Sequence, residues 1–461
     1  MSRLIQPARA MPGLTTARSL ESRLTAGFSA AMAALGPFEP APRLAMGVSG
    51  GPDSMALALL ARDWARARDG SVLALIVDHG LRPESGAEAA EAASRLAGQA
   101  ISARILPLAG VRRGPGLAER ARLARLAALE QACAEAGILH LLLGHHRADQ
   151  AETVVIRALA GSGPAGFAAM APLVEHHGTR ILRPLLKVVP ADLRTLLRSS
   201  AVDWAEDPSN QDPHSQRARL RGSRLDQAGR GIATHALADA ASHAGAERAR
   251  AETEAARWIA AHTLIAPAGY VLLPDGPFHA GALASLIRMV AGRAHAPPRS
   301  AVERLAATPR AATLWGTRLL AAGRFGPGWL LQREGAAMAP RVPALAGAVW
   351  DGRFRLGHDT RLPDDAELGA VGAASATLRR TSRLPAALLA TLPAIWRDKA
   401  LFAVPHIGYP DQQHCMRAPI WLDPPLPAAG ARFMVPRAEN SGPTGDAANA
   451  ASHYVYDTTQ D

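Results

Sequence analysis

The segment that most constrains this chain is a short apolar run, Leu44–Val48, that ends in SGGPDS, Ser49 to Ser54, and leads directly into the helix-forming stretch Met55–Ala67. Two adjacent glycines permit backbone conformations that a Cβ forbids, and they let the main chain approach a ligand closely. Pro52 suits the first turn of a helix, where a missing N–H costs nothing. A strand turning through such a loop into a helix gathers helix N–H groups and the Ser49 and Ser54 hydroxyls, a set that favours an anion. The loop is not a Walker A motif, which needs a lysine; the only lysines are Lys187 and Lys399. It is not a GxGxxG turn either.

The same alternation continues along the chain. Ser71–Val77, Ile101–Leu106 and Ile138–Leu143 read as strands, and Glu84–Gln99 and Leu117–Ala136 as helices. Strand–helix alternation predicts an α/β fold: a Rossmann-like parallel sheet with helices on both faces. Ligands sit at the carboxyl ends of such strands. The unusual residues fall there: Ser49–Ser54, then Asp78 and His79, then His145–Gln150.

GHHRADQAET, Gly144 to Thr153, carries a second set of polar groups. Asp149 and Glu152 stand three apart near a helix start and so share one face. Two carboxylates on one face can hold Mg²⁺ together with phosphates, or bind an ammonium; helix capping is the alternative use. GSGPAGFAAM, Gly161 to Met170, follows, and its glycines and proline specify a tight loop.

SGGPDS resembles the phosphate loop of the ATP-pyrophosphatase, or PP-loop, group. HHRADQAET followed by GSGPAGFAAM narrows the resemblance to the tRNA(Ile)-lysidine synthases. Further matches are VDHGLR (Val77–Arg82), the helix carrying Arg122 and Arg125, RPLL (Arg183–Leu186), and WAEDPSN (Trp204–Asn210) followed by Arg217 and Arg221. They occur in the family order over residues 40 to 222. Ala148, Leu126, Ser215 and Ala218 depart from that family's pattern.

The resemblance implies an ATP-dependent ligase. It would adenylate the C2 oxygen of the wobble cytidine in a CAU anticodon and let the ε-amine of free lysine displace AMP. Ser49, Gly50, Gly51, Pro52, Asp53 and Ser54 would bind ATP. Asp53, Arg122, Asp149 and Glu152 would carry the chemistry, with Mg²⁺ on Asp53 and Asp149. His79, Arg125, His145, His146, Arg217 and Arg221 would meet cytidine or tRNA. Two other readings stay open: a tRNA thiolase on the same loop, and a decayed RNA-binding copy. A thiolase needs a reactive cysteine or cluster, and Cys133 and Cys415 are the only cysteines.

Composition fits a nucleic-acid partner. There are 51 Lys+Arg against 40 Asp+Glu, and nearly all the positive charge is Arg, which binds phosphate bidentately. The clusters Arg217–Arg230 and Arg379–Arg383 are candidate tRNA contacts. GC-rich coding is the rival explanation of an Arg-rich chain. At 4% aromatic residues, stacking platforms are sparse. No apolar run reaches the roughly 18 residues of a membrane helix, and a cytoplasmic protein is expected. The expected organisation is an amino-terminal extension and helix (1–40), the catalytic domain (41–222), a helical tRNA-binding region (223–335), a small α+β domain (336–436) and a tail (437–461). The sequence leaves the oligomeric state open, a homodimer among the options.

Overall fold

The structure, a computed structural model, describes residues 12–428 apart from 81–83, 109–113, 115, 163, 177, 207–225, 227, 359, 361, 381, 412–414, 416, 417 and 427. Arg217, Arg221 and the expected tail lie outside the described residues. The described residues form two units, one running to Asp149 and including Pro172–Thr234, the other containing Gln150–Ala171 and the chain from His235 onward.

In the first unit, α1 (Pro12–Leu35) precedes β1 (Arg43–Val48), α2 (Pro52–Arg66), β2 (Ser71–Asp78), α3 (Ser85–Ala97), β3 (Ser102–Pro107), α4 (Leu117–Glu135) and β4 (His140–Leu143). Then α5 (Arg147–Leu159) carries the chain into the second unit, which holds the single turn α6 (Pro164–Phe167). The chain returns as β5 (Leu173–His176), β6 (Thr179–Leu182) and α7 (Pro190–Ser199). The sheet order is β3-β2-β1-β4-β6-β5. All neighbours are parallel except β5, which runs antiparallel to β6.

Side-chain alternation along β1 explains the two-sided core. Leu44, Met46 and Val48 pack with Phe28, Met32, Leu57, Leu96 and Leu197 from α1, α2, α3 and α7. Ala45 points the other way, into a cluster with Leu129 and Cys133 of α4. Helices therefore cover both faces, as the alternation predicts. Burial pushes the Cys133 thiol up to about 12, so it is an inert packing group.

A polar network at the amino ends of β4 and β6 had no signal in the motifs. Arg180, buried, donates to the carbonyls of Leu35 and Pro37, each at 2.9 Å. His140 Nε2 sits 2.9 Å from Glu39 Oε2. Burial holds His140 below its ordinary range, and Glu39 only partly offsets this. The network fastens the end of α1 to the sheet.

In the second unit a long helix, Ile232–His262, leads to a five-stranded antiparallel sheet, order β7-β8-β11-β10-β9. Its strands are Leu264–Ile265, Val271–Leu273, Ala312–Leu314, Thr317–Ala321 and Trp329–Arg333. Helices Ala280–Ala291 and Arg299–Ala307 pack on it. The stretch read as helical thus carries a sheet as well. Its strands are two to five residues long, too short for a period to stand out. Further along, four-stranded and three-stranded antiparallel sheets follow. Asp351 is buried against Arg333 Nε at 2.9 Å and Arg353 Nε at 2.7 Å. Those two guanidiniums hold its carboxyl low against the opposing effect of burial. Arg333 and Asp351 lie on opposite sides of the boundary expected at 335/336, and this ion pair joins the two stretches.

Candidate active site

The carboxyl ends of β1 and β4 lie side by side because the two strands pair in parallel, Gly47 opposite Leu143. Ser49 and Gly144 are the first residues past the two strands, so the two motifs meet at the carboxyl end of the sheet. Gly50 has φ +80°, a conformation that favours glycine. Its carbonyl accepts a hydrogen bond from Ala205 N–H at 2.9 Å. That contact gives Ala205 a local role: it pins the back of the loop.

The loop closes on itself through Ser54. Ser49 N–H donates to Ser54 Oγ at 3.1 Å, and the Ser54 hydroxyl donates to the Gly51 carbonyl at 3.0 Å. Gly51 is the extended residue before α2, Pro52 opens the helix, and no side chain caps it. The N–H groups of Gly50, Gly51, Asp53 and Ser54 make no hydrogen bond among the described residues. A helix start with open N–H groups and the positive end of its dipole suits a phosphate. Gly144 fits closely beneath. A Cβ there would lie 3.1 Å from the Asp53 carbonyl oxygen and 3.2 Å from Ser54 N.

His146 joins the two motifs. It is buried; its Nε2 is 3.4 Å from Asp53 Oδ2, and its Nδ1 is 3.4 Å from Asp149 Oδ2. Asp149 Oδ2 accepts from His146 N–H at 3.0 Å, and Asp149 N–H donates to His146 Nδ1 at 3.4 Å. Nδ1 is thus as close to the Asp149 carboxylate as to its N–H, while Nε2 faces Asp53. The result is a carboxylate–imidazole–carboxylate row, Asp53–His146–Asp149. Motif reading placed all three residues at the site but did not foresee the imidazole between the acids, because the contact needs β1 and β4 to be neighbours. His145 is half-buried beside it.

Asp53 Oδ1 is buried without a hydrogen-bond partner among the described residues. An orphaned carboxylate oxygen at a phosphate cradle fits Mg²⁺, which takes one or two carboxylates and completes its shell with phosphates and water. No group of three or more His, Cys, Asp or Glu among the described residues could chelate an ion by itself.

Glu152 follows on α5 and is buried. Between the two acids, Gln150 has a structural task. Its side-chain amide donates to the Met170 carbonyl at 3.0 Å and accepts from Met170 N–H at 2.9 Å. Arg157 donates to the carbonyls of Gly166 and Ala169 at 2.9 and 2.7 Å. These bonds hold the end of the GSGPAGFAAM loop. Gln150 had been assigned no role; its amide, which can donate and accept at once, was the available signal.

Other expected residues lie on α4 and at the end of β2. Arg122 and Arg125 are exposed on α4 and make no hydrogen bond or ion pair to the loop among the described residues; Arg122 faces Glu119 at 3.6 Å. Burial, then the charge of Arg122, brings the Arg183 guanidinium down to about 10. Asp78 closes a turn, accepting from Ser85 Oγ at 2.5 Å and Gly80 N–H at 3.0 Å, and those bonds hold its carboxyl low. His79 is half-buried after it.

Comparison with known proteins gives the family of the chain. The PP-loop domain family matches residues 20–227. A tRNA(Ile)-lysidine synthase of Ruegeria pomeroyi is 35% identical over 412 residues, 85% of this chain and 93% of that protein. One of a Bradyrhizobium species is 43% identical over 220 residues, 47% of this chain and 61% of that protein. One of Caulobacter vibrioides is 36% identical over 379 residues, 77% of this chain and 82% of that protein. Among solved structures, a U34-tRNA thiolase of Methanococcus maripaludis matches at TM-score 0.41 and 16% identity, over 49% of this chain and 79% of that one, a likeness too small to carry an argument. The fold and its loop define a PP-loop ATP-binding protein. The chain belongs to the tRNA(Ile)-lysidine synthase family, a family of ATP-dependent ligases. No helix among the described residues is long and apolar enough to cross a membrane.

Proposed function

We propose that this chain modifies the wobble position of tRNA by ligating free L-lysine to C2 of cytidine in the CAU anticodon of tRNA(Ile). The observation that carries this reading is the open N–H cradle at Ser49–Ser54 joined to the Asp53–His146–Asp149 row, in a chain aligned over 93% of a relative bearing that name.

The C2 oxygen of cytidine attacks the α-phosphorus of ATP, and pyrophosphate leaves. The N–H groups of Gly50, Gly51, Asp53 and Ser54 would hold the departing phosphates, placed before charge develops. Asp53, with Asp149, would hold Mg²⁺, which would supply charge neutralisation at the phosphates. The ε-amine of lysine then attacks C2, the bond to the adenylate oxygen breaks, and AMP leaves. Lysine arrives as an ammonium and must lose a proton to become a nucleophile. Asp149 and Glu152 can bind the cation and take that proton. His146 holds Asp53 and Asp149 in register. His145, His79, Arg122 and Arg125, with Arg217 and Arg221, would meet cytidine or the anticodon arm. The modified anticodon reads AUA instead of AUG. ATP, lysine and tRNA as substrates imply the cytoplasm.

The test is incubation with ATP, labelled lysine and tRNA with a CAU anticodon, beside a transcript with another anticodon. Label should enter only the first, with one pyrophosphate released per lysine. Pyrophosphate release without lysine incorporation would overturn the reading.

A further inference from the structure

Among the described residues, several arginines of the second unit face a carboxylate, and several others, Arg257, Arg304, Arg310 and Arg318 among them, do not. Arg333 and Arg353 share Asp351, Arg341 faces Glu367, Arg355 faces Asp423 and Arg397 faces Asp365. Arg324, Arg379, Arg380 and Arg383, by contrast, have no carboxylate partner among the described residues. Arg324 and Arg383 line a groove of about 530 Å³ together with Phe325 and Leu384. Arg324 Nη1 donates to the Arg383 carbonyl, which ties the two walls together. The Phe325 ring is half-buried and lies 5.6 Å from the ring of Tyr270, tilted by 33°. Arg379 and Arg380 end the 3₁₀ helix Gly372–Arg380 and are exposed.

Uncompensated guanidiniums around an aromatic face suit a polyanion that carries rings: phosphates meet the arginines and a base meets the ring. An acidic protein surface would satisfy the charges but would leave the ring-lined groove unfilled. Duplex RNA keeps its bases stacked inside the helix, so the nucleotide that fits must be unpaired.

We propose that this groove binds an unpaired nucleotide of the tRNA substrate, its base against Phe325 and its flanking phosphates on Arg324 and Arg383. Arg379 and Arg380 take the adjoining backbone. The identity of the RNA rests on the function proposed above; the groove's preference for unpaired RNA does not.

The experiment measures tRNA affinity of the full chain across a salt series. Replacing Arg379 and Arg380 by Ala removes exposed side chains without hydrogen bonds, so the melting temperature should hold. Affinity at low salt should fall about tenfold, and the log–log salt slope should become shallower by about 1.4 for two contacts. Phe325→Leu keeps an apolar side chain in the groove. It should weaken binding about tenfold with the slope unchanged, the mark of lost stacking. A single-stranded oligoribonucleotide should compete for the site and a perfect RNA duplex should not. Unchanged affinity and slope in both variants, or equal competition by duplex, overturns the proposal. An acidic protein captured by the groove while the variants bind tRNA normally overturns it too. Lysine incorporation by the wild type is measured in parallel. If no lysine is incorporated yet the variants lose RNA affinity, the lysine reading fails and the groove stands. If lysine is incorporated and the variants bind normally, the groove alone fails.

Discussion

His146 Nε2 lies 3.4 Å from Asp53 Oδ2, and this one approach joins the loop after β1 to the loop after β4. On its other side Nδ1 lies 3.4 Å from both the main-chain N and the Oδ2 of Asp149. One imidazole therefore sets the position of two acids, and the consequences can be measured.

Asp53→Asn keeps the shape of the side chain and removes its charge. The first turn of α2 loses a favourable dipole contact of about 0.3–1 kcal/mol, so the fold survives. Pyrophosphate release with saturating tRNA should fall by about 100-fold. A wild-type rate would remove Asp53 from the reaction.

His146→Ala leaves Asp53 and Asp149 without the ring between them. Release of pyrophosphate should fall by about 100-fold. His146→Gln returns an N–H donor near the place of Nε2 and should recover several-fold of that loss. Equal rates for the two variants would show that the N–H toward Asp53 does not matter.

Gly144→Ala tests the close fit beneath the loop. The added methyl would press on the Asp53 carbonyl and Ser54 N, both main-chain atoms that cannot swing aside. The loop must shift, at a cost of about 1–3 kcal/mol of stability. The KM for ATP should rise more than the KM for lysine. A rise confined to lysine would contradict this placement.

Glu152→Gln keeps size and hydrogen bonding without the charge. Losing a charged hydrogen bond to an ammonium should raise the lysine requirement about tenfold, with pyrophosphate release less affected. Adenylated tRNA should then accumulate at low lysine. Lost adenylation with an unchanged lysine requirement would move Glu152 to the ATP side.

The second unit carries a pH-sensitive group of its own. Burial pushes the His406 ring from its ordinary 6.5 down to about 4; its bond to the Pro267 carbonyl opposes this and the Arg353 charge reinforces it. Between those values the unfolded chain binds a proton that the folded chain does not, so stability falls as pH drops through the window. The contribution is full above pH 6.5. Between pH 7 and pH 5 His406 should account for about 1–2 kcal/mol of lost stability. His406→Gln should flatten that part of a urea-midpoint profile. An identical slope in variant and wild type would refute the assignment.

Much of the first unit was legible in the chain because its signals are local. Leu44–Val48, SGGPDS and Met55–Ala67 spell strand, turn and helix within one short window, and the double glycine, Pro52 and the apolar period each act through their immediate neighbours. Asp149 at a helix start and the parallel sheet were read the same way. The sheet order decided the rest. Only when β4 lies beside β1 does His146 reach Asp53, and only then would a Cβ at residue 144 crowd Asp53 and Ser54. Gln150 on Met170, Arg180 on the carbonyls ending α1, and Asp351 between two arginines are likewise contacts between segments distant in the chain. Their residue types are common in solvent, and only burial and distance turn them into fasteners. The short strands of the second unit were hidden for a related reason: two to five residues carry no period of their own, and pairing with distant partners makes them strands.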